Sequence, residues 1–82
     1  MSTKLYVGNL TYTINNNDLS DTFKSHGTVI SAKVVTDKES GRSKGFGFVE
    51  MGNENEASSA IKALNGTEIK GRNLIITAAK PS

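Results

Sequence analysis

Apolar residues in this chain recur at two spacings, two apart and three to four apart, and the switches between them divide it into six elements. In KLYVG, residues 4–8, Leu5 and Val7 fall on one side of an extended backbone and Lys4 and Tyr6 on the other, which predicts a half-buried strand. NLTYTINNND follows without alternation. Its asparagine run offers Asn15 as a helix cap, with Asp18 three residues on at the dipole end that favours an anion. Leu19 and Phe23, four apart, give that helix one apolar stripe, and Gly27 is placed to end it. VISAKVVT, residues 29–36, predicts a strand with Ala32 and Val34 inward and Lys33 and Val35 outward. After the charged loop DKESGRS comes KGFGFVEM, residues 44–51, in which Lys44, Phe46 and Phe48 share one face and Gly45, Gly47, Val49 and Met51 the other. Asn53 with Glu56 repeats the capping arrangement and opens a second helix, with Ala57, Ala60, Ile61 and Leu64 on one side, until NG stops it. The remaining TEIKGRNLIITAAKP holds a turn at Gly71 and a final strand, Leu74 and Ile76 inward, Ile75 and Thr77 outward, closed by Pro81.

The order β-α-β-β-α-β predicts an α+β fold, the ferredoxin-like split βαβ arrangement, as one domain over residues 1–82. Each helix has a single apolar stripe, so both cover the same side of a four-stranded antiparallel sheet. The other side of the sheet is left open. No internal repeat or low-complexity tract competes with this reading.

Composition narrows the chemistry. Without cysteine, disulfides, thiolate metal sites and cysteine nucleophiles are excluded, and 82 residues must build an efficient core unaided. The net charge of +2, from ten Lys plus Arg against eight Asp plus Glu, makes the placement of charge more informative than its sum. No apolar run is long enough to span a membrane and no signal peptide opens the chain, so the expectation is a soluble, monomeric, cytoplasmic protein with no membrane association. With ends as short as MSTK and KPS, the expectation is that no tail acts as a linker.

On the open face the alternation places Tyr6 on strand one and Phe46 and Phe48 on strand three, neighbours at the centre of this fold. Three of five aromatic rings thus point to solvent, ringed by Lys4, Lys33, Lys44 and Lys80. A patch of this kind is seldom exposed without a use. Flat rings among cations suit a single nucleic-acid strand, each base laying a π face on a ring while the phosphates run past the ammonium groups. The bland alternative is that the rings only stiffen cross-strand pairing. Gly45 and Gly47, lacking side chains, keep the helix-facing side of the strand thin.

KGFGFVEM matches the octamer K/R-G-F/Y-G/A-F-V-x-F/Y at seven positions, with Met51 replacing the last aromatic, and LYVGNL resembles the companion hexamer of the same family. On these motifs the chain resembles the RNA recognition motif family. It is especially similar to the glycine-rich, cold-inducible and short bacterial members, without the glycine-rich tail of many of them. The resemblance implies a non-enzymatic module binding single-stranded RNA, with single-stranded DNA left open and no cofactor. Carried over by position, Tyr6 and Phe46 stack on successive bases, Phe48 lies against the sugars and Lys44 holds the phosphate. Thr77, Ala79 and Lys80 on the last strand read base edges, and Asn9 and Arg42 are further contacts. Met51, on the core side, touches packing more than binding.

Competing readings lack their residues. A dinucleotide-binding fingerprint needs a third glycine where Glu50 stands, and a helix after it. His26 is the only histidine, so metal and acid–base sites lack partners, and a helix-end role suits it better. Asp18, Asp21, Glu54 and Glu56 sit at helix starts, where the helix dipole explains them. An acylphosphatase-like enzyme on this fold needs an arginine in the loop after strand one, and GNLTYT has none. Protein-binding variants of the motif often lose the sheet aromatics, all kept here. Lys38 and Arg42, in the charged loop, also fit a solvated hairpin tip.

Overall fold

The computed structural model describes residues 3–79. In chain order it contains β1 (Lys4–Gly8), α1 (Asn16–Lys24), β2 (Val29–Thr36), β3 (Ser43–Met51), α2 (Glu54–Leu64), the short strands β4 (Glu68–Ile69) and β5 (Arg72–Asn73), and β6 (Ile75–Ala78). Strands β2, β3, β1 and β6 form one antiparallel sheet in that order, with β1 and β3 at its centre. The α+β architecture expected from the sequence is the one observed.

One apolar cluster joins the helices to the sheet. Leu19 and Phe23 of α1 and Ala57, Ala60 and Leu64 of α2 are buried against Leu5, Val7, Val34, Val49, Met51 and Ile76. Each large side chain removed from water in this way contributes about 1.5–3 kcal/mol. Leu10, Ile14 and Leu74 close the ends of the layer. Ile61, expected among the buried stripe of α2, is only half-buried and packs against the cluster from its margin.

Asparagine side chains do much of the local work. Asn15 Oδ1 accepts the Asp18 N–H at 2.8 Å and Asp18 Oδ2 accepts the Asn15 N–H at 3.3 Å, a reciprocal cap on α1. At α2 only half of that arrangement forms. Asn53 Oδ1 accepts the Glu56 N–H at 2.8 Å, but the Glu56 carboxylate accepts instead the Thr28 N–H at 2.6 Å, tying α2 to the approach to β2. The two edge strands are blunted alike: Val34 N–H donates to Asn16 Oδ1 at 2.7 Å, and Ile76 N–H to Asn65 Oδ1 at 3.0 Å. An outward N–H at each sheet edge is thereby occupied.

Three local departures from simple alternation shape the strands. In β2, Val29 pairs with Met51 but Ser31 with Glu50, so one extra residue bulges and Ile30 is left 61 % exposed. In β3, a second irregularity falls between Ser43 and Gly47, where Gly45 has φ +87°. β4 and β5, absent from the sequence reading, form a hairpin around Lys70 and Gly71, both left-handed at φ +51° and +87°, as a two-residue turn of this hand requires.

The glycines of β3 therefore serve different ends. Gly47 is the thin point: a Cβ there would lie 2.5 Å from the Lys33 carbonyl oxygen and 3.2 Å from Leu19 Cδ2. Gly45, by contrast, would meet nothing closer than the Leu10 carbonyl oxygen at 3.5 Å, so its role is the left-handed bend rather than thinness, a correction to the reading that treated the two alike. Gly47→Ala is expected to lower stability by about 1–3 kcal/mol through backbone overpacking. Ser59→Ala, on the exposed side of α2, should stay within about 0.5 kcal/mol. Urea-unfolding midpoints of the two variants would check this, and equal midpoints would contradict it.

Candidate nucleic-acid interface

Alternation across the paired strands carries one row of side chains over the open face. Lys33 on β2 is opposite Phe48 on β3, Phe48 opposite Tyr6 on β1, and Tyr6 opposite Thr77 on β6. Phe46 stands two residues along β3. The three rings are all half-buried, with centroids 5.7 Å apart for Tyr6 and Phe46, 5.9 Å for Tyr6 and Phe48, and 6.2 Å for the two phenylalanines. None is stacked flat on another. Interplanar angles of 34°, 65° and 89° give tilted and edge-to-face contacts, which aromatic quadrupoles favour.

Small residues set these orientations. A Cβ on Gly8 would lie 3.0 Å from both Cε1 and Oη of Tyr6, so the tyrosine ring leans back over this glycine. Ile75, paired with Gly8 on the far side, is 52 % exposed and extends the apolar surface. Lys4 Nζ lies 5.0 Å from the Phe48 centroid, within cation–π range.

Beyond Phe46 the surface opens into a groove of about 970 Å³ between the loop after β1 and the β2–β3 loop, lined by Tyr12, Asp37, Arg42, Lys44 and Phe46 among others. Its acid is held by its own loop: Asp37 Oδ1 accepts the Glu39 N–H at 2.8 Å and the Ser40 N–H at 3.4 Å. Those two amides, with the Lys44 charge adding a smaller share, hold the Asp37 carboxyl below its ordinary value.

Of the residues singled out in the sequence, Tyr6, Phe46, Phe48, Lys4, Lys33 and Thr77 lie together on the sheet, and Lys44 and Arg42 lie at the groove. Ala79 is half-buried and its N–H donates to the Lys4 carbonyl at 2.8 Å. Lys80 lies outside the described residues. Asn9 is engaged within the protein: at φ +60° it turns the chain out of β1, its Nδ2 donates to the Asn73 carbonyl at 2.7 Å, and its Oδ1 accepts from Arg72 Nη1 at 3.4 Å. Sequence reasoning passed over Tyr12, 70 % exposed, and Arg72, whose guanidinium carbon lies 6.0 Å from the Tyr12 centroid. An aromatic flanked on both sides by threonine was the one available signal for Tyr12. Among the described residues, no group of three or more His, Asp or Glu side chains is arranged to hold a metal ion, and no helix is long and apolar enough to cross a membrane.

Comparison with known proteins places this geometry among relatives. The profile of the RNA recognition motif matches residues 5–75. The putative RNA-binding protein RbpA of Nostoc sp. is 49 % identical over 77 residues, covering 94 % of this chain and 76 % of that protein. The chloroplastic RNA-binding protein CP31B of Arabidopsis thaliana is 47 % identical over 77 residues, again 94 % of this chain but only 27 % of the longer relative. Among solved structures, the Sxl-lethal protein in complex with RNA superposes with a TM-score of 0.94 at 28 % identity, over all of this chain and 49 % of that one.

Carbon-detected NMR titration of Asp37 is expected to show a midpoint below the ordinary aspartate range, shifted slightly upward by Lys44→Ala. Because the folded-state value is depressed, the stability this group adds is fully present above its unfolded pKa and is lost as pH falls through the folded one. A midpoint at the ordinary value would contradict the Asx-turn geometry.

Proposed function

The chain belongs to the RNA recognition motif family, and from that premise we propose that it is a binding module, not a catalyst, which holds two to four nucleotides of single-stranded RNA on the open sheet face. The observation that carries this reading is the ring triplet: three aromatic side chains within 6.2 Å of one another, half-exposed, with no ring stacked flat against another. Tyr6 and Phe46, tilted by 34°, offer faces to two successive bases, while Phe48 stands edge-on to Phe46 and lies against the sugars between them. Lys44 takes the phosphate, and Lys33, Lys4 and Arg42 supply the surrounding positive field. Thr77, beside Tyr6, contacts a base edge, and Ala79 and Lys80 are the further base-edge contacts in this reading. Asn9 contributes by holding the loop rather than by offering its occupied amide to a base. The RNA bound to the structural relative supports the ligand class. The same proposal places the protein in the cytoplasm as a monomer, to be checked by cell fractionation and by sedimentation.

Stacking is worth about 1–3 kcal/mol per base, so two bases give roughly 2–6 kcal/mol before losses. Affinity for a short oligomer should then be on the order of micromolar. Phe46→Ala is expected to weaken RNA binding by about 1–3 kcal/mol at every salt concentration, because the lost contribution is stacking. Lys44→Ala should instead flatten the salt dependence by less than about one unit, the share of a single released counterion. Amide shifts on titration with RNA and DNA oligomers should concentrate on residues 4–9, 33–35, 42–50 and 75–79. Unchanged affinity in Phe46→Ala with abolition in Lys44→Ala would sink the ring platform, and shifts confined to α1 and α2 would point to a protein partner.

A further inference from the structure

At the end of β3 away from Arg42, one carboxylate stands among the cations of the open face. Glu50 lies two residues beyond Phe48 and is half-buried, opposite Lys4 on β1 and Ser31 on β2. Opposite charges that face each other across a ladder attract, and a Lys4–Glu50 ion pair is what the register invites. It is not made. The Lys4 ammonium lies over the Phe48 ring at 5.0 Å, and among the described residues the Glu50 carboxylate has neither a hydrogen-bond nor an ion-pair partner. Elsewhere the acids are occupied: Asp18 caps α1, Glu56 holds the Thr28 amide and Asp37 closes its own turn. The bulge of β2 falls against this same residue, leaving Ile30, 61 % exposed, between Val29 opposite Met51 and Ser31 opposite Glu50. An exposed apolar side chain, a hydroxyl and an unengaged carboxylate thus meet at one corner of the ring platform.

The geometry points to Glu50 as the residue that selects the base at this corner, and to guanine as the base it selects. The assignment rests on the RNA-binding reading above and adds a sequence preference to it. A carboxylate offers two acceptor oxygens and no donor. The Watson–Crick edge of guanine offers two neighbouring donors, N1–H and the N2 amino group, so the two edges meet as a bidentate, charge-assisted pair. Adenine and cytosine each present one amino donor beside a bare ring nitrogen, and uracil one N3–H between two carbonyl oxygens. Those acceptors would face the carboxylate oxygens, so each wrong base is rejected by repulsion as well as by a missing bond. Glu50 also turns phosphate away from the corner. Lys4 and Lys33, across the ladder from Glu50 and Phe48, are left to take the backbone, and Ile30 gives the base an apolar surface to lie against.

The test is a fluorescence-anisotropy titration of the wild type and Glu50→Gln with hexauridylate and with hexamers that carry one guanosine at each position in turn. Glutamine keeps the shape of glutamate but replaces one acceptor oxygen by a donor, and Glu50 makes no side-chain bond that the fold uses. The wild type is expected to gain about 5- to 100-fold over hexauridylate with guanosine at one position or more, the discrimination of one bidentate pair. Inosine at that position keeps N1–H but lacks the N2 amino group, and should lose most of the gain. Glu50→Gln should bind hexauridylate at least as tightly as the wild type, since one negative charge has left the RNA face, and should show no preference for guanosine. No gain from guanosine in the wild type, inosine equal to guanosine, or a gain that survives in Glu50→Gln would overturn the assignment and leave the sheet reading standing. A wild type that binds none of the oligomers would overturn the sheet reading and this inference with it.

Discussion

The antiparallel pairing of β1 with β3 is the constraint on which the rest depends. Leu5 opposite Val49 and Tyr6 opposite Phe48 are consecutive pairs of one ladder, so the first pair is buried because the second is not. A slip of one residue would send Leu5, Val7 and Val49 to solvent and the rings beneath the helices. The hydrophobic core and the ring platform are two faces of a single register. Several buried side chains at about 1.5–3 kcal/mol each hold that register, and so hold the rings in place without any bond made by the rings themselves.

Leaving the rings half-exposed has a cost, since their apolar area is not fully removed from water. Part of it is recovered by tilted and edge-to-face contacts, each worth about 0.5–1.5 kcal/mol, and by Lys4 over Phe48. These contacts orient the rings without closing their faces against one another. The covered side of the sheet meets the opposite demand. There Gly47 lets the backbone of β2 and the Leu19 side chain approach closely, which keeps α1 seated.

At the Gly8 end of the sheet, loop geometry takes over from ladder geometry. Left-handed backbone at Asn9, Gly45, Lys70 and Gly71 turns successive strands outward, and the Leu10 N–H donates to the Gly45 carbonyl at 2.8 Å to join two of those turns. Arg72, Asn9 and Tyr12 meet there although sixty or more positions separate the first from the other two in the chain. A basic and aromatic surface thus extends past the last ladder residue.

The six principal elements, the single-sided placement of both helices and the ring set Tyr6, Phe46 and Phe48 were legible in the residue order alone, because each follows from a period of two or of three to four that side-chain geometry imposes locally. Cap positions at Asn15 and Asn53 were equally legible, since a cap bonds within three residues. The remaining features depend on residues brought together across the chain. The Glu56 carboxylate left its own cap for the Thr28 amide, β2 bulged to expose Ile30, and Asn9 spent its amide on Asn73. The β4–β5 hairpin was too short for periodicity to register. Tyr12 carried no pattern at all in its loop, and it gained an orientation only when the fold laid Arg72 against it. Local periodicity sets which way a side chain points, whereas the partner it finds there is chosen by the packing of distant segments.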